Sequence, residues 1–312
     1  METENLMRKF SFLLVILLLA VAGVGFAQDA PTVAVMTPFL AQPGTQIMVE
    51  NFETVAMEKG WSVNVIDTNE DIAALVSRME DVALQGVDAI VINVDPTQIE
   101  PGLHAAVDAG IPVFGLDSGA HPLLVTNVTS NGYTMAAETA TYVVDRLSGA
   151  GNIIMFIFEP YPPVQKRGAI ARAIFENTPD ISIVDAITPS FDNGPLEGAR
   201  NAMEAVLLAH PDAGSIQAVW AAWDDPALGA LQAIEDAGRA DEGIVIVGID
   251  ATEQARDAIA RGSNFEATVA QDFAGIAQRV ADLVESYLGG ADITQVNHYV
   301  PANLVTQADL SQ

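Results

Sequence analysis

The stretch VDAIVINVDPTQIEPGLHAAVDAGIPVFGLDS, residues 87–118, decides how this chain folds. It holds two short apolar runs, AIVINV at 89–94 and IPVFGL at 111–116, and neither alternates apolar with polar. An unbroken apolar strand is buried on both faces, as in a parallel sheet covered by helices. Runs of the same kind recur at VAVM (33–36), VNVI (63–66), IIMFIF (153–158), ISIVDAI (181–187), AVWAA (218–222), GIVIVGI (243–249) and ATVA (267–270). Segments of helical period lie between them. Met48, Phe52, Val55 and Ala56 form one stripe; Ile72, Leu75, Val76, Met79 and Ala83 a second; Phe273, Ile276, Ala277, Val280 and Val284 a third. This alternation gives an α/β fold of doubly wound parallel layers. So many strands fit either one wide sheet or two of similar size. The turn-rich TSNGY at 129–133 is read as a break, which favours two lobes. Two such lobes facing each other form a cleft lined by the carboxyl ends of their strands.

The N-terminus predicts export. Arg8 and Lys9 precede FSFLLVILLLAVAGVGFA, from Phe10 to Ala27, which ends in the small residues Gly25 and Ala27. A charged, then apolar, then small-residue order is a signal peptide, here over residues 1–27 with cleavage after Ala27. Glu2 and Glu4 suit such a leader poorly, and Met7 opens a cleaner one than Met1. The competing reading, an uncleaved anchor, fits less well, because a span needs about 20 apolar residues and this run contains Gly23 and Gly25. The chain has no cysteine. That excludes a disulfide scaffold, a thiol nucleophile, a zinc–thiolate site and a lipidated cysteine after the leader. An exported, unanchored protein is expected in a periplasm. The net charge of −28 repels nucleic acid and anionic lipid, and is read as a solubilising surface.

Catalytic signatures are missing from the sequence. It contains no G-x-S-x-G, no P-loop and no H-E-x-x-H, and His104, His121, His210 and His298 lie far apart. No enzymatic activity, metal or cofactor is expected. The strand ends carry a different chemistry. Thr37 follows the first run, in a loop that reaches Gln42; Asn93 and Asp95 end the third, and Asp117 and Ser118 the fourth. Phe191 and Asp192 follow ISIVDAI; Trp223, Asp224 and Asp225 follow AVWAA; Asp250 follows GIVIVGI; Gln271 follows ATVA; Arg167 opens the helix after IIMFIF. Carboxylates accept hydroxyl protons, Arg donates in a fixed fork, Gln does both, and aromatic faces cover the C–H face of a sugar ring. Together they suit a neutral polyol. Asp95, Asp192 and Asp225 are read instead as helix caps, since an Asp after a strand commonly starts the next helix. Trp220, inside its run, and Trp61 are read as structural.

At these residues the chain resembles the periplasmic ribose-binding protein family, the type I pentose and hexose receptors of ABC importers. The resemblance runs through VAVMTPFLAQPG, GIPVFGLDS, VQKRGAIARAIF, PSFDNG, AHPDAGSIQAVWAAWDDPALGALQAIEDAG, IVIVGID and ATVAQ, in order, over essentially all of the chain after the leader. It implies binding roles for Thr37, Gln42, Asp117, Arg167, Phe191, Asp250 and Gln271. It also implies a three-segment hinge near Ser130–Asn131, Gln271–Asp272 and Asn297–Tyr299. The lobes are then 28–130 plus 272–297, and 131–271 plus 298–312. Three departures alter the pocket. Ser118 stands where the family has a sugar-contacting arginine, Gly44 and Thr45 replace two aromatics, and Trp223–Asp224 replaces an Asn-Asp pair, with Trp223 a substitute stacking face. The implied function is capture of a monosaccharide (pentose, hexose or deoxysugar) or a sugar alcohol by a monomer that delivers it to an ABC permease. The alternative is presentation of a bound sugar or furanosyl signal to a chemoreceptor or histidine kinase; the sequence does not separate the two.

Overall fold

The computed structural model describes residues 30–310, so the predicted leader and its cleavage site lie outside the described residues. Every apolar run named above forms a strand. The first sheet takes β1 (Thr32–Thr37), β2 (Ser62–Asp67), β3 (Ala89–Ile92), β4 (Val113–Leu116), β5 (Thr126–Ser130) and β11 (Asn297–Val300), in the spatial order β11-β5-β4-β3-β1-β2. All its pairings are parallel. The second takes β6 (Ala150–Phe156), β7 (Asp180–Ile187), β8 (Ala218–Ala221), β9 (Val245–Asp250), β10 (Phe265–Gln271) and β12 (Ala302–Thr306), in the order β12-β10-β9-β8-β6-β7. It is parallel except where β12 runs antiparallel to β10. Two lobes, not one wide sheet, are therefore formed.

Helices cover both faces of each sheet. In the first lobe α1 (Pro43–Glu58) joins α9 (Phe273–Leu288) on one face, where Met48, Phe52 and Ala56 meet Ile276, Val280 and Val284. On the other, α2 (Ile72–Gln85) and α3 (Glu100–Asp108) bury Leu75, Met79, Leu103 and Ala106 against Ile90 and Ile92. In the second lobe α4 (Gly132–Arg146) and α5 (Pro162–Glu176) cover one face. The opposite face carries α6 (Pro195–Ala209), α7 (Asp224–Asp236) and α8 (Glu253–Ala260). A four-residue helix, α10 (Gln307–Leu310), closes the described chain. The predicted stripes are the buried faces of α1, α2 and α9. Trp220 is fully buried, as read, and donates its indole N–H to Thr139 Oγ1 at 2.9 Å.

The central strands β3, β4 and β8 are buried at every position, whereas β2 and β7, at sheet edges, are only partly covered. Three strands went unrecognised, β5, β11 and β12. Strand β5 reads TNVTS, yet every residue in it is buried. Most of its polar side chains have partners: Thr126 Oγ1 donates to the Gln295 carbonyl at 2.7 Å and Asn127 Nδ2 to Asn297 Oδ1 at 3.0 Å, while the Ser130 hydroxyl is buried without one. Burial of polar groups with partners in place carries little penalty.

The chain passes between the sheets after β5, after β10 and between β11 and β12. The first two passages open on helices with side-chain caps. Asn131 accepts from Tyr133 N at 3.1 Å, and Asp272 from Gly275 N at 2.8 Å. The third falls at Pro301, beyond the Asn297–Tyr299 stretch expected. β11 stays in register with β5 through Val300, opposite Ser130, and proline, lacking an N–H, stops the ladder there.

Candidate functional site

The two sheets present matching corners. In the first, Gly115-Leu116-Asp117 ends β4; in the second, Gly248-Ile249-Asp250 ends β9, and β4 and β9 hold the same place in their strand orders. Asp117 (φ 51°) and Asp250 (φ 127°) both lie at positive φ, as does Ala251 (φ 54°). Such a backbone costs a non-glycine residue about 1–3 kcal/mol and persists where the surroundings impose it. Each glycine makes room for a buried polar side chain. A Cβ at Gly115 would lie 2.3 Å from Asn127 Oδ1, and one at Gly248 2.4 Å from Asp224 Oδ1.

Those buried side chains hold the turns. Asn127 Oδ1 accepts from Ser118 N at 3.0 Å and its Nδ2 donates back to the Ser118 carbonyl at 3.0 Å. In the other lobe Asp224 accepts from Thr252 N at 2.8 Å and from Thr268 Oγ1 at 2.7 Å. Thr268 Oγ1 in turn accepts from Ala251 N at 3.1 Å. Asp224 is thus a buried support of the second turn and not part of the cavity wall, contrary to the sequence reading. Burial and the nearby Asp250 push its carboxyl well above the ordinary range. Its neighbour Asp225 takes the place expected of Asp224. It lies in the first turn of α7, caps nothing, and lines the cavity. Two adjacent residues of a starting helix point apart, and only the helix phase decides which one faces the cleft. Thr37 is likewise beneath the site. It is fully buried, with its hydroxyl on the Asn93 carbonyl at 3.1 Å.

Between the corners lies a cavity of about 80 Å³. Of the residues expected at the site, Gln42, Asp117, Arg167, Phe191, Trp223, Asp250 and Gln271 line it. Arg167 is buried on the second turn of α5. It donates through Nη1 to the Ala222 carbonyl at 2.8 Å and lies 3.4 Å from Asp250 Oδ1. Gln271 Nε2 donates to the same Oδ1 at 2.7 Å. That bond fixes the amide orientation, since a carboxylate oxygen only accepts. Two buried atoms at this wall have no protein partner, Arg167 Nε and Gln271 Oε1. Asp117 accepts a short bond from Thr129 Oγ1. Burial raises its carboxyl against the pull of Arg167. Burial likewise pushes Asp250 up to about 6, opposed by Arg167 and Gln271, and Asp225 up to about 6 by burial alone.

Aromatic rings make up much of the remaining wall. Phe191 stacks on Trp223 with centroids 6.3 Å apart and planes 27° apart, and Phe158 sits 4.9 Å from Phe191. From the opposite lobe Phe39 meets Phe158 at 6.4 Å and Tyr161 at 5.7 Å, both edge-on. Tyr161, which precedes α5, reaches furthest across. Its hydroxyl donates to the Asp117 carbonyl and accepts from Asn93 Nδ2 at 2.8 Å. Asn93 also joins the ends of the first-lobe elements: its Nδ2 donates to the Leu116 carbonyl at 2.7 Å and its Oδ1 accepts from Thr45 Oγ1 at 3.2 Å. Sequence reading missed Tyr161, Phe158 and Asp225 at the cavity. Phe158 ends the run IIMFIF and Tyr161 follows it by three residues, where an aromatic reads as core. The recurrence of Gly-Leu-Asp as Gly-Ile-Asp was the available signal for paired corners.

Residues 33–292 match the model of the periplasmic binding protein domain. The chain belongs to the periplasmic binding protein family. Members are solute-binding components of transport, and this periplasmic binding protein is not an enzyme. It is 28% identical over 279 residues to the ribose import binding protein of Bacillus subtilis, covering 88% of this chain and 87% of that one. It is 30% identical over 220 residues to a xylitol-binding protein of Mycolicibacterium smegmatis, covering 68% and 60%. Among solved structures, an ABC transporter solute-binding protein from Agrobacterium vitis with bound allitol superposes with a TM-score of 0.83 at 26% identity, over 91% of this chain and 98% of that one. Among the described residues no helix is long and apolar enough to cross a membrane.

Proposed function

We propose that this binding protein captures a monosaccharide or sugar alcohol between its lobes, in a periplasm, and hands it to an ABC permease. The observation that carries this reading is the composition of the cavity wall. Aromatic faces of Phe191 and Trp223 stand beside carboxylates, a guanidinium and an amide whose buried Nε and Oε1 have no protein partner. A polyol matches both halves, with C–H faces for the rings and hydroxyls for the polar atoms. A cavity needs roughly 10–15 Å³ to admit one water, so at about 80 Å³ this one has room for more than one. Relatives named for ribose and xylitol point the same way. Gln42, Asp117, Arg167, Phe191, Trp223, Asp225, Asp250 and Gln271 are the proposed contacts, with Thr37 and Asp224 acting from behind them.

In this reading the lobes are two rigid bodies hinged at the three passages, and a ligand touching both favours the closed arrangement by its differential contact. The test is a thermal-shift screen against pentoses, hexoses and alditols. A ligand at 100 times its Kd adds about 2.7 kcal/mol of stability. Trp223 fluorescence gives an independent titration. Melting shifts confined to amino acids or simple carboxylic acids, with none from any polyol, defeat the proposal.

A further inference from the structure

The cavity wall holds more negative charge than it neutralises. Among the described residues Arg167 is the one cationic side chain lining it, against Asp117, Asp225 and Asp250; its Nη1 lies 3.4 Å from Asp250 while its Nε has no protein partner, and Lys166 acts on Asp117 from outside the lining. Ser118, next to Asp117, adds no cation; its hydroxyl is spent on the Val94 carbonyl. Asp225 is the informative member. The residue is 9% exposed and lines the cavity, and its carboxylate oxygens, which are not among the sealed-off unpartnered atoms, face the open cavity with burial as the one influence on them. The unpartnered Gln271 Oε1 is a further acceptor aimed at the same space. A buried carboxylate without a partner is costly, so the group that completes it must bring donors and, best, a positive charge. No metal explains the surplus, because no three described His, Asp or Glu side chains are placed to hold one. The organic alternative also uses the rings, since aromatic faces beside carboxylates are a favourable setting for an ammonium.

We infer that the ligand carries a protonated amine, an amino sugar or amino polyol, whose ammonium lies against Asp225. This rests on the polyol reading above and narrows it. A neutral polyol satisfies acceptors with hydroxyl donors but leaves the excess charge in place; an ammonium supplies three donors and cancels one carboxylate.

The experiment is calorimetric titration of the protein with matched pairs differing at one group: glucosamine against glucose and N-acetylglucosamine, and 1-amino-1-deoxysorbitol against sorbitol. The expected result is that the amine of at least one pair binds at least about tenfold more tightly than its neutral partners, the advantage of a charge-assisted bond in a desolvated site. Asp225→Asn, nearly isosteric, should shrink that ratio to about threefold or less. If the neutral partners bind as well as the amines, the inference falls and the polyol reading stands. If the amine advantage survives Asp225→Asn, the assignment of the ammonium to Asp225 is wrong. If no member of any pair binds while other ligand classes do, the polyol reading fails and the inference with it.

Discussion

The corner after β4 and the corner after β9 are built to one plan and filled differently. Each places a carboxylate on strained backbone beside a glycine, and each wedges a polar side chain against that glycine. The first corner uses a neutral amide, Asn127, while the second uses Asp224, a second buried carboxylate. Asp117 then stands with Thr129 as its one side-chain donor, whereas Asp250 gathers Arg167 and Gln271 around it. The second lobe thus carries most of the cavity's polar set by itself, together with Phe191, Trp223 and Asp225. The first adds Asp117, Gln42 and an aromatic edge. Under the proposed function, a ligand would find a largely assembled surface on the second lobe, with the first lobe closing onto it.

Substitutions test that asymmetry. The largest effect is expected for Arg167→Ala. It removes a buried donor and strands Asp250, so binding should be lost and the apo protein should lose about 3–5 kcal/mol, the usual cost of breaking a buried ion pair. Calorimetry and chemical denaturation read the two losses separately. Next come the paired corners. Asp250→Ala should weaken binding about 100-fold and Asp117→Ala only about tenfold, in proportion to the polar groups each organises. Equal losses would show that the lobes share the ligand evenly and break the comparison.

Asp224→Ala should act on stability instead. It orphans Thr268, Thr252 N and the turn that holds Asp250, at a cost of about 2–4 kcal/mol. Its counterpart Asn127→Ala should cost less, about 1–3 kcal/mol, because no charge is buried there. Urea midpoints of the two variants give the comparison directly.

Asp225 offers the test with the opposite sign. Its folded pKa is raised to about 6 from 3.8, so between these values the native state binds more protons than the unfolded chain. Stability from this group is therefore greatest below pH 4 and declines as pH rises through about 6. Asp225→Asn should then raise the apo melting temperature at pH 7, by up to about 3 kcal/mol in stability, and flatten the pH dependence between about 4 and 6. A melting temperature unchanged at pH 7 would mean that the charge is not a burden to the apo fold. The smallest effect is expected for Tyr161→Phe, which removes the bridge to Asp117 and Asn93 but keeps the ring against Phe39. Net hydrogen-bond values give about 1 kcal/mol, read as a modest affinity loss.

Periodicity made the fold legible because central strands covered on both faces cannot be other than apolar. β5, β11 and β12 escaped for the converse reason. In β5, bonds such as Thr126 to Gln295 hold polar side chains and leave no hydrophobic trace, and β11 and β12 are short, partly exposed strands at sheet edges. Part of the cavity wall was readable from strand ends, since a parallel sheet delivers those ends to one rim. The exceptions lie where orientation, not position, decides. The order Trp223-Asp224-Asp225 does not reveal which carboxylate turns inward, and an aromatic after an apolar run does not announce that, like Tyr161, it crosses to the other lobe.

That crossing has a kinetic consequence. Phe39, Phe158 and Tyr161 line the cavity and pack against one another across the lobes, so under the proposed function a bound molecule would be released as these contacts part. Escape is then timed by the opening of the protein, and residence times of different ligands should be set by how strongly each holds the two lobes together. Ligands that reach the Asp117 side would be the slow leavers; those that satisfy only the Asp250 side would dissociate at nearly the rate at which the unliganded lobes separate.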